Sequence, residues 1–298
     1  MAVSSTQFRL LRKAKDPKFN IDDLEHYDLM LQVGFSDIQL CINDSRKNKV
    51  LLIEDYVMPG VTNQIERAEC LDCLFDDHHL LLAGFWNKIK VLVKNKRFSV
   101  IPKDLFSEKG IEEYIRINAS LDDDEHECFY NLYKDLSLVN TFAVSNPVLS
   151  FINKTYKSKQ IEFYHQSSSF INGFNRYFNE SEETDVCLYL DRFVLHIAVF
   201  RKGKFRFYNQ FPVKIFDDYI RYANYVIDEL SIHKKKDKFY VWGYLGRNSS
   251  HYRILKNNFP TLQFGKRPAG LKMGYVFDDI PEHQYFDLLS FNFLSKKS

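Results

Sequence analysis

Apolar and polar residues alternate along the chain in a way that predicts a succession of strands and helices. After a polar, charged segment of about 28 residues, the apolar residues alternate from Leu29 onward, which is typical of strands. A charged turn follows, and residues 50–58 predict a third strand. Residues 62–75 then change to a helical period, with Thr62 or Asn63 as the N-cap. The apolar positions of this helix are Ile65, Ala68, Leu71 and Leu74.

The remainder of the first half predicts further short elements. Residues 88–102 contain two strand-like runs, and residues 108–120 are typical of a helix. Pro147 is expected in the first turn of another helix. The other expected elements are extended segments at 126–133, 138–145 and 161–167 and a helix at 167–179. A polar, acidic break ends at Asp185.

The second half starts with the same order of elements. In residues 186–200 both alternating faces are apolar, as in a central strand. Residues 217–230 predict the clearest helix of the chain, since Asp217 and Asp218 place negative charge at its N-terminal end. A strand ending in a glycine turn, a short helix, a strand and a last helix from Pro281 are expected to follow.

The two halves align by pattern when Leu29 is placed on Val186, an offset of about 157 residues (186 − 29). Each then reads as a three-stranded meander, an acidic-capped helix and a parallel strand. We therefore expect an α/β protein with two mixed-sheet domains that flank a cleft. The expected boundaries are an N-terminal arm or edge element (1–28), a first domain (29–180) and a second domain (181–298).

This duplicated meander resembles the actin-like ATPase fold, which consists of two ribonuclease H-like domains. Residues 193–230 followed by 238–246 look more specifically like a bacterial family classed as a domain of unknown function. That family has an actin-like fold distantly similar to pilus-assembly and cell-division actin homologues. The resemblance covers residues 25–290 or so, and it implies a fold without an established activity.

The resemblance implies two phosphate-holding hairpin turns, one after the first strand of each half. Such turns need glycine, because backbone N–H groups approach the phosphate, and carboxylates for magnesium. In the first turn Gly34 and Ser36 fit, but Gln32 stands where active enzymes of this fold have aspartate. Asp37 is near in sequence, although strand alternation does not place it at the equivalent position.

The second turn departs further from the pattern. Asp191 is its carboxylate, and it has no glycine; Arg192 and Phe193 are expected to fill the space that a phosphate needs. Gly243 and Gly246 match a glycine-rich adenosine contact, and they also fit ordinary turn positions. The candidate residues of a degenerate nucleotide cleft are therefore Gly34, Ser36, Asp191, Gly243 and Gly246.

Other polar clusters have simpler explanations than a site. A zinc site is suggested by Cys70 and Cys73, which are three residues apart on a predicted helix and are followed by His78 and His79. Such a helical arrangement rarely supplies the four closed ligands of a structural zinc site, so buried free thiols are the better explanation. The acidic run 122–125 with His126 reads as a solvated loop, and the basic run 233–238 as a solvated turn. His196 is expected to be a hydrogen-bonded core histidine. No metal site is predicted.

Composition limits the partners and the cellular compartment that can be expected. A net charge of +2 does not indicate a nucleic-acid partner, and no apolar run has the length that a membrane span needs. Five scattered cysteines favour a reducing cytoplasm. The hydrophobic fraction of 45% is that of a globular chain.

The function predicted is that of a non-catalytic, pseudo-ATPase binding or scaffold protein with an unidentified protein partner. No cofactor is predicted, while ATP binding without hydrolysis stays open. The alternative is an active ATPase or sugar-kinase-like enzyme that uses displaced carboxylates such as Asp37 and Asp191. A polymerising cytoskeletal element is a further option. A two-metal nuclease is disfavoured, since Gln32 and Asp191 do not supply its converging carboxylates.

Overall fold

The computed structural model describes residues 8–122 and 124–294, and they fall into two compact units. One unit holds the described residues up to Ser168 together with Gly270–Asp278. The other holds Ser169–Ala269 and Asp279–Leu294. Throughout the described chain, every helix is too short or too polar to cross a bilayer.

The first unit is built on a seven-stranded mixed sheet. Its strands are β1 (Arg9–Lys15), β2 (Tyr27–Val33), β3 (Asp37–Asp44), β4 (Lys49–Val57), β5 (Lys88–Val93), β9 (Ile161–His165) and β15 (Lys272–Met273). The order is β1-β4-β3-β2-β5-β9, with β15 also beside β4. Strands β2, β3 and β4 form the expected antiparallel meander, and β5 runs parallel to β2. All eight residues of β3 are buried, which makes it a central strand.

A second, three-stranded sheet is inserted between β5 and β9. It has the order β6-β8-β7. Its strands are β6 (Phe98–Pro102), β7 (His126–Tyr133) and β8 (Leu138–Ser145). The helices of the first unit are α1 (Gln64–Asp77), α2 (Ile111–Arg116) and α3 (Asn146–Thr155). Helix α4 (Gln166–Phe178) follows β9 and belongs to the second unit from Ser169 onward. The extended segments expected at 126–133 and 138–145 are confirmed.

The second unit has a five-stranded sheet of order β12-β11-β10-β13-β14. Its strands are β10 (Thr184–Asp191), β11 (Val194–Arg201), β12 (Lys204–Pro212), β13 (Lys238–Gly243) and β14 (Gln263–Phe264). Its helices are α5 (Asp217–Glu229), α6 (Ser250–Asn258) and α7 (Phe286–Ser290). β11 lies between β12 and β10 with all but its end residues buried, as its apolar faces predicted. Val226 and Ile227 of α5 pack into the core of this sheet.

Two expectations about these elements are wrong in detail. The last helix does not begin at Pro281 but at Phe286, because His283 is held by its own contacts: its carbonyl accepts from Gly243 N–H at 2.8 Å and its ring bonds Leu245 O. Ile65 is 68% exposed, so it is not in the buried stripe of α1. Arg67 is among the buried residues of α1, although the apolar pattern does not include it.

A buried carboxylate, Glu54 on β4, joins three parts of the first unit. His78 beyond α1 and Tyr56 on β4 each lie 2.7 Å from its Oε2, and Lys13 Nζ on β1 lies 2.8 Å from its Oε1. Burial by itself raises the pKa of Glu54. The hydrogen bonds from His78, Lys13 and Tyr56 outweigh burial and lower that pKa from its ordinary 4.5 to about 2.

We predict that Glu54→Gln lowers the free energy of unfolding at neutral pH by up to about 3 kcal/mol. A carboxyl with a lowered folded-state pKa contributes stability above its unfolded value, and this contribution is lost as pH falls from 4.5 towards 2. The difference between wild type and variant should therefore shrink across this acid range. Urea unfolding at a series of pH values measures it.

The matched control is Glu69→Gln, which removes the same charge from an exposed position on α1. This control should change stability by less than about 0.5 kcal/mol at any pH. An equal loss for Glu54→Gln at pH 3 and pH 7 would contradict the role assigned to the ionised carboxylate.

Candidate functional site

The five candidate residues lie in two groups, one in each unit. Gly34 and Ser36 belong to the hairpin turn between β2 and β3. Asp191 ends β10, Gly243 ends β13, and Gly246 follows in the loop before α6. Each group is therefore a separate local structure with its own hydrogen bonds.

The first turn is a tight hairpin held by backbone hydrogen bonds. Gly34 N–H donates to Asp37 O at 2.8 Å, and Met58 N–H donates to Ser36 O at 2.8 Å. Between them Phe35 is 41% exposed. The amide of Gly34 is thus used inside the turn itself.

The side chain of Asp37 fills the space that Gly34 leaves open. A Cβ at position 34 would lie 1.8 Å from Asp37 Oδ1, so a larger residue there would force the Asp37 carboxylate to move. The other carboxylate oxygen accepts from Lys94 Nζ, at the end of β5, at 2.7 Å. Asp37 and Lys94 form an ion pair in which both side chains are largely buried.

Gln32 and Tyr189 precede the two turns by the same spacing, and neither supplies a carboxylate. Gln32 is buried, and its Nε2 donates to Gln39 Oε1 at 2.8 Å. Tyr189 is buried in the second unit and donates to Asp287 Oδ1 at 2.7 Å. Burial, together with the Asp287 charge, raises the pKa of Tyr189. Both side chains serve the core of their own unit.

The second turn is closed by its own carboxylate. Asp191, which is 4% exposed, accepts from the backbone N–H of Arg192 at 2.7 Å through Oδ1. The Arg192 guanidinium lies over the Tyr244 ring, 4.6 Å from its centroid. Phe193 has a left-handed backbone with φ of 58° and is 74% exposed. The amide and the guanidinium of Arg192 therefore have local contacts, whereas Phe193 at the tip of the turn is exposed.

Further groups surround Asp191. Tyr219 on α5 donates to its carbonyl oxygen at 3.2 Å, and burial followed by the Asp191 charge raises the pKa of Tyr219 to about 12. His196 is a buried core histidine, as expected, and its Nδ1 bonds Tyr208 at 2.9 Å. Its Nε2 is 4.0 Å from Asp191 Oδ2, a partner that the sequence did not indicate.

Gly243 occupies a position that the backbone restricts to glycine. Its φ is 94°, and an added Cβ would lie 2.1 Å from the carbonyl oxygen of Leu190. Its residue pair across the parallel ladder is Leu190 itself, whose oxygen accepts from Tyr244 N–H at 2.8 Å. Strand pairing thus explains this glycine without a ligand.

Gly246 has no such restriction. Its φ lies outside the left-handed region, and a Cβ there would meet only Ser249, at 3.7 Å. Its carbonyl accepts from the Ser249 hydroxyl at 2.7 Å, and Ser249 caps α6 by accepting from Tyr252 N–H. Gly246 is therefore part of an ordinary helix-entry loop.

The remaining sequence candidates do not assemble into a metal site. Within residues 8–122 and 124–294, no three His, Cys, Asp or Glu side chains gather as metal ligands. Cys70 is buried, which raises the pKa of its thiol to about 11, whereas Cys73 is exposed. His78 bonds Glu54 instead. In the acidic loop, Asp123 lies outside the described residues.

Arg67 is the site residue that sequence reasoning missed. It lies on the buried face of α1 and is 7% exposed. Its Nη1 donates to Gly34 O at 3.4 Å and its Nη2 to Ser145 Oγ at 2.6 Å. The available signal was its helical spacing from Cys70 and Leu71, which puts position 67 on the core side.

Comparison with known protein families gives a match over most of the chain. The model of the family described as "Protein of unknown function (DUF3822)" matches residues 16–262. No curated protein matches the chain. The family resemblance inferred from the sequence is thereby confirmed.

The solved structures that resemble the chain include the following two. One is a protein from Bacteroides thetaiotaomicron VPI-5482 with an actin-like ATPase fold and unknown function; it is 17% identical, has a TM-score of 0.78, and the match covers 93% of this chain and 99% of that one. The other is in the PilM–PilN type IV pilus biogenesis complex, with 12% identity, a TM-score of 0.58 and coverages of 89% and 97%. The fold is therefore the actin-like ATPase fold, and the chain belongs to the DUF3822 family of proteins of unknown function.

Proposed function

We propose that this protein acts by binding a protein partner and does not hydrolyse ATP. The observation that carries the proposal is that each candidate phosphate turn is occupied by its own aspartate. In one turn Asp37 lies against Gly34, and in the other Asp191 accepts the Arg192 amide. A phosphate at either turn would meet a fixed carboxylate.

In the first turn the obstacle is both steric and electrostatic. The Asp37 carboxylate stands in the space over Gly34, where an incoming phosphate would need to approach the backbone. Lys94, at 2.7 Å, already neutralises it. A phosphate would have to separate this largely buried ion pair, and separating such pairs costs several kcal/mol in order of magnitude.

In the second turn the Arg192 amide is already engaged, and the Arg192 side chain has a contact of its own. The Arg192 amide donates to Asp191, and the Arg192 guanidinium is stacked on Tyr244. The conformation at Phe193 is left-handed without glycine, so the turn has a bulky side chain where glycine would give access. These contacts support a turn that is self-contained.

The tips of both turns favour an apolar contact with another protein. Phe35 and Phe193 are 41% and 74% exposed, and phenylalanine supplies a large apolar area for an interface. The PilM–PilN complex is consistent with this role, because a protein of the same fold is found there with a partner. We assign no identity to the partner of this chain.

The alternative, an active ATPase or sugar-kinase-like enzyme, would rely on Asp37 and Asp191 as displaced carboxylates. Asp37 is committed to Lys94, and Asp191 to the Arg192 amide. A magnesium site needs oxygen ligands that face the metal or its waters. These existing bonds weigh against the alternative.

We predict no ATP turnover above the rate in buffer. The test is a phosphate-release assay with the full chain, ATP and magnesium, together with isothermal titration to detect binding without hydrolysis. Wild type and Asp191→Ala should give the same rate, because Asp37 and Asp191 are both held by other groups. Turnover in the wild type that Asp191→Ala abolishes would overturn the proposal.

We predict that alanine substitution has a large effect on stability at Gly243 and a small one at Gly246. Gly243→Ala should destabilise the fold by about 2 kcal/mol or more, because the new Cβ meets the Leu190 backbone at a positive φ. Gly246→Ala is its matched control and should lie within about 1 kcal/mol of the wild type. Denaturant unfolding measures both, and equal effects would contradict the structural role of Gly243.

We predict that the exposed Phe193 is unnecessary for stability. Phe193→Gly should be more stable than Phe193→Ala by about 1 kcal/mol, because glycine adopts the left-handed conformation without penalty. Neither variant should lose more than about 1 kcal/mol relative to the wild type, since the ring is mostly exposed. A loss of 3 kcal/mol in both on thermal or urea unfolding, roughly the cost of removing a core phenylalanine, would place the ring in the core instead.

A further inference from the structure

A small pocket in the first unit is lined by cationic side chains. It lies where β2, β5 and β8 end and where α1 and α3 begin. Its cavity is about 20 Å³. The lining residues that carry the argument are Arg67, Lys94, Arg97, His126 and Ser145. None of the described residues that line it is an aspartate or a glutamate.

The positive charge of this pocket is only partly balanced. Lys94 is paired with Asp37. Arg67 has no carboxylate partner among the described residues; its two hydrogen bonds go to neutral oxygens, and its Nε–H is buried without an acceptor. Arg97, which is half-buried, donates through Nε to the carbonyl of Ser120. Two guanidinium groups thus share one pocket, and no described carboxylate pairs with either of them.

Such an arrangement is costly unless something compensates it. A buried charge without a partner destabilises a fold by several kcal/mol in order of magnitude. Burial, with the Arg97 charge as a second cause, lowers the pKa of Arg67 to about 10, and no anion acts in the opposite direction. A guanidinium has five N–H donors in a planar fork, which matches the oxygens of a carboxylate or phosphate.

The surrounding backbone adds to the preference for an anion. Ser145 precedes α3 and makes no side-chain capping bond to that helix, because its hydroxyl accepts from Arg67. The N-terminal end of α3, a ten-residue helix, therefore meets the pocket through Ser145 and Val148 with its partial positive charge. At about 20 Å³ the cavity has room for little more than one water-sized group, so an anion would place part of its oxygens inside it and the rest at its opening, and a nucleotide does not fit inside.

We propose that this pocket binds a single oxyanion group, a phosphate or a carboxylate, through Arg67 and Arg97. The group belongs to a small anion or to the end of a larger molecule. The site lies wholly within the first unit and includes neither Gly34 nor Ser36. Arg67 also donates to the Gly34 carbonyl, so the site adjoins the first turn, but the proposal does not depend on whether ATP is hydrolysed.

The test measures thermal unfolding of the full chain in chloride buffer at constant ionic strength. Part of the chloride is replaced by inorganic phosphate, sulfate or acetate, titrated up through the millimolar range. The wild-type midpoint should rise and saturate with at least one oxyanion. A rise with phosphate and sulfate assigns a tetrahedral dianion, whereas a rise with acetate alone assigns a carboxylate.

Variants separate this site from general salt effects. Arg67→Met keeps a side chain of similar length and should fold, since replacing an uncompensated buried charge by an apolar group is often neutral or stabilising. It should lose the saturable rise. Lys96→Gln removes a charge from the same turn at an exposed position outside the pocket and should keep it.

Arg97→Gln provides a second readout if Arg67→Met does not fold. The anion concentration at half-saturation should increase about tenfold or more, because a charged hydrogen bond is lost. The proposal is overturned if no oxyanion acts differently from chloride on the wild type. It is equally overturned if Arg67→Met, or with that variant unfolded Arg97→Gln, responds as the wild type does.

Discussion

The hydrogen bond from the Arg192 amide to the Asp191 carboxylate, 2.7 Å long, sets what the second hairpin turn can do. Polar groups in a largely buried turn must be satisfied, and here the turn satisfies them from its own side chain. Asp37 does the same for the first turn, against Gly34 and with Lys94 as its counter-ion. Both turns are complete without a ligand. This self-sufficiency underlies the proposal of an actin-like fold that binds and does not hydrolyse.

Buried acidic and basic side chains in the first unit differ in how their charge is balanced. Acidic groups have fixed partners: Asp37 is held by Lys94, and Glu54 by Lys13, His78 and Tyr56. Arg67 is buried with neutral acceptors only, among the described residues. An ion pair balances the Asp37 charge, whereas no described carboxylate balances the Arg67 charge. The pocket around Arg67 is therefore unlike the two closed turns.

Much of the fold could be predicted because local pattern and tertiary environment agree. The β2-β3-β4 meander and helix α5 have clear periods. The strands that follow β1 are ordered β4-β3-β2-β5-β9 in the first large sheet, and those of the second unit are ordered β12-β11-β10-β13-β14. The errors arose where tertiary contacts override the period. His283 is bonded to Gly243 and Leu245, so the last helix starts late. Arg67 is buried because it can donate to Gly34 and Ser145, which no window of sequence shows.

For the candidate site, the sequence by itself determined which groups are present: no glycine in the second turn, Gln32 in place of an aspartate, and one carboxylate beside each turn. It also determined the α/β architecture, since side-chain period and turn residues are local properties, and it carried the resemblance to the family. Only the tertiary structure decided what those groups do. Whether Asp37 faces a ligand or Lys94, and whether Arg67 lies in solvent or in a pocket, depends on residues distant in the chain. Hydrogen bonds and burial are formed by the folded neighbours, and the sequence order does not specify them.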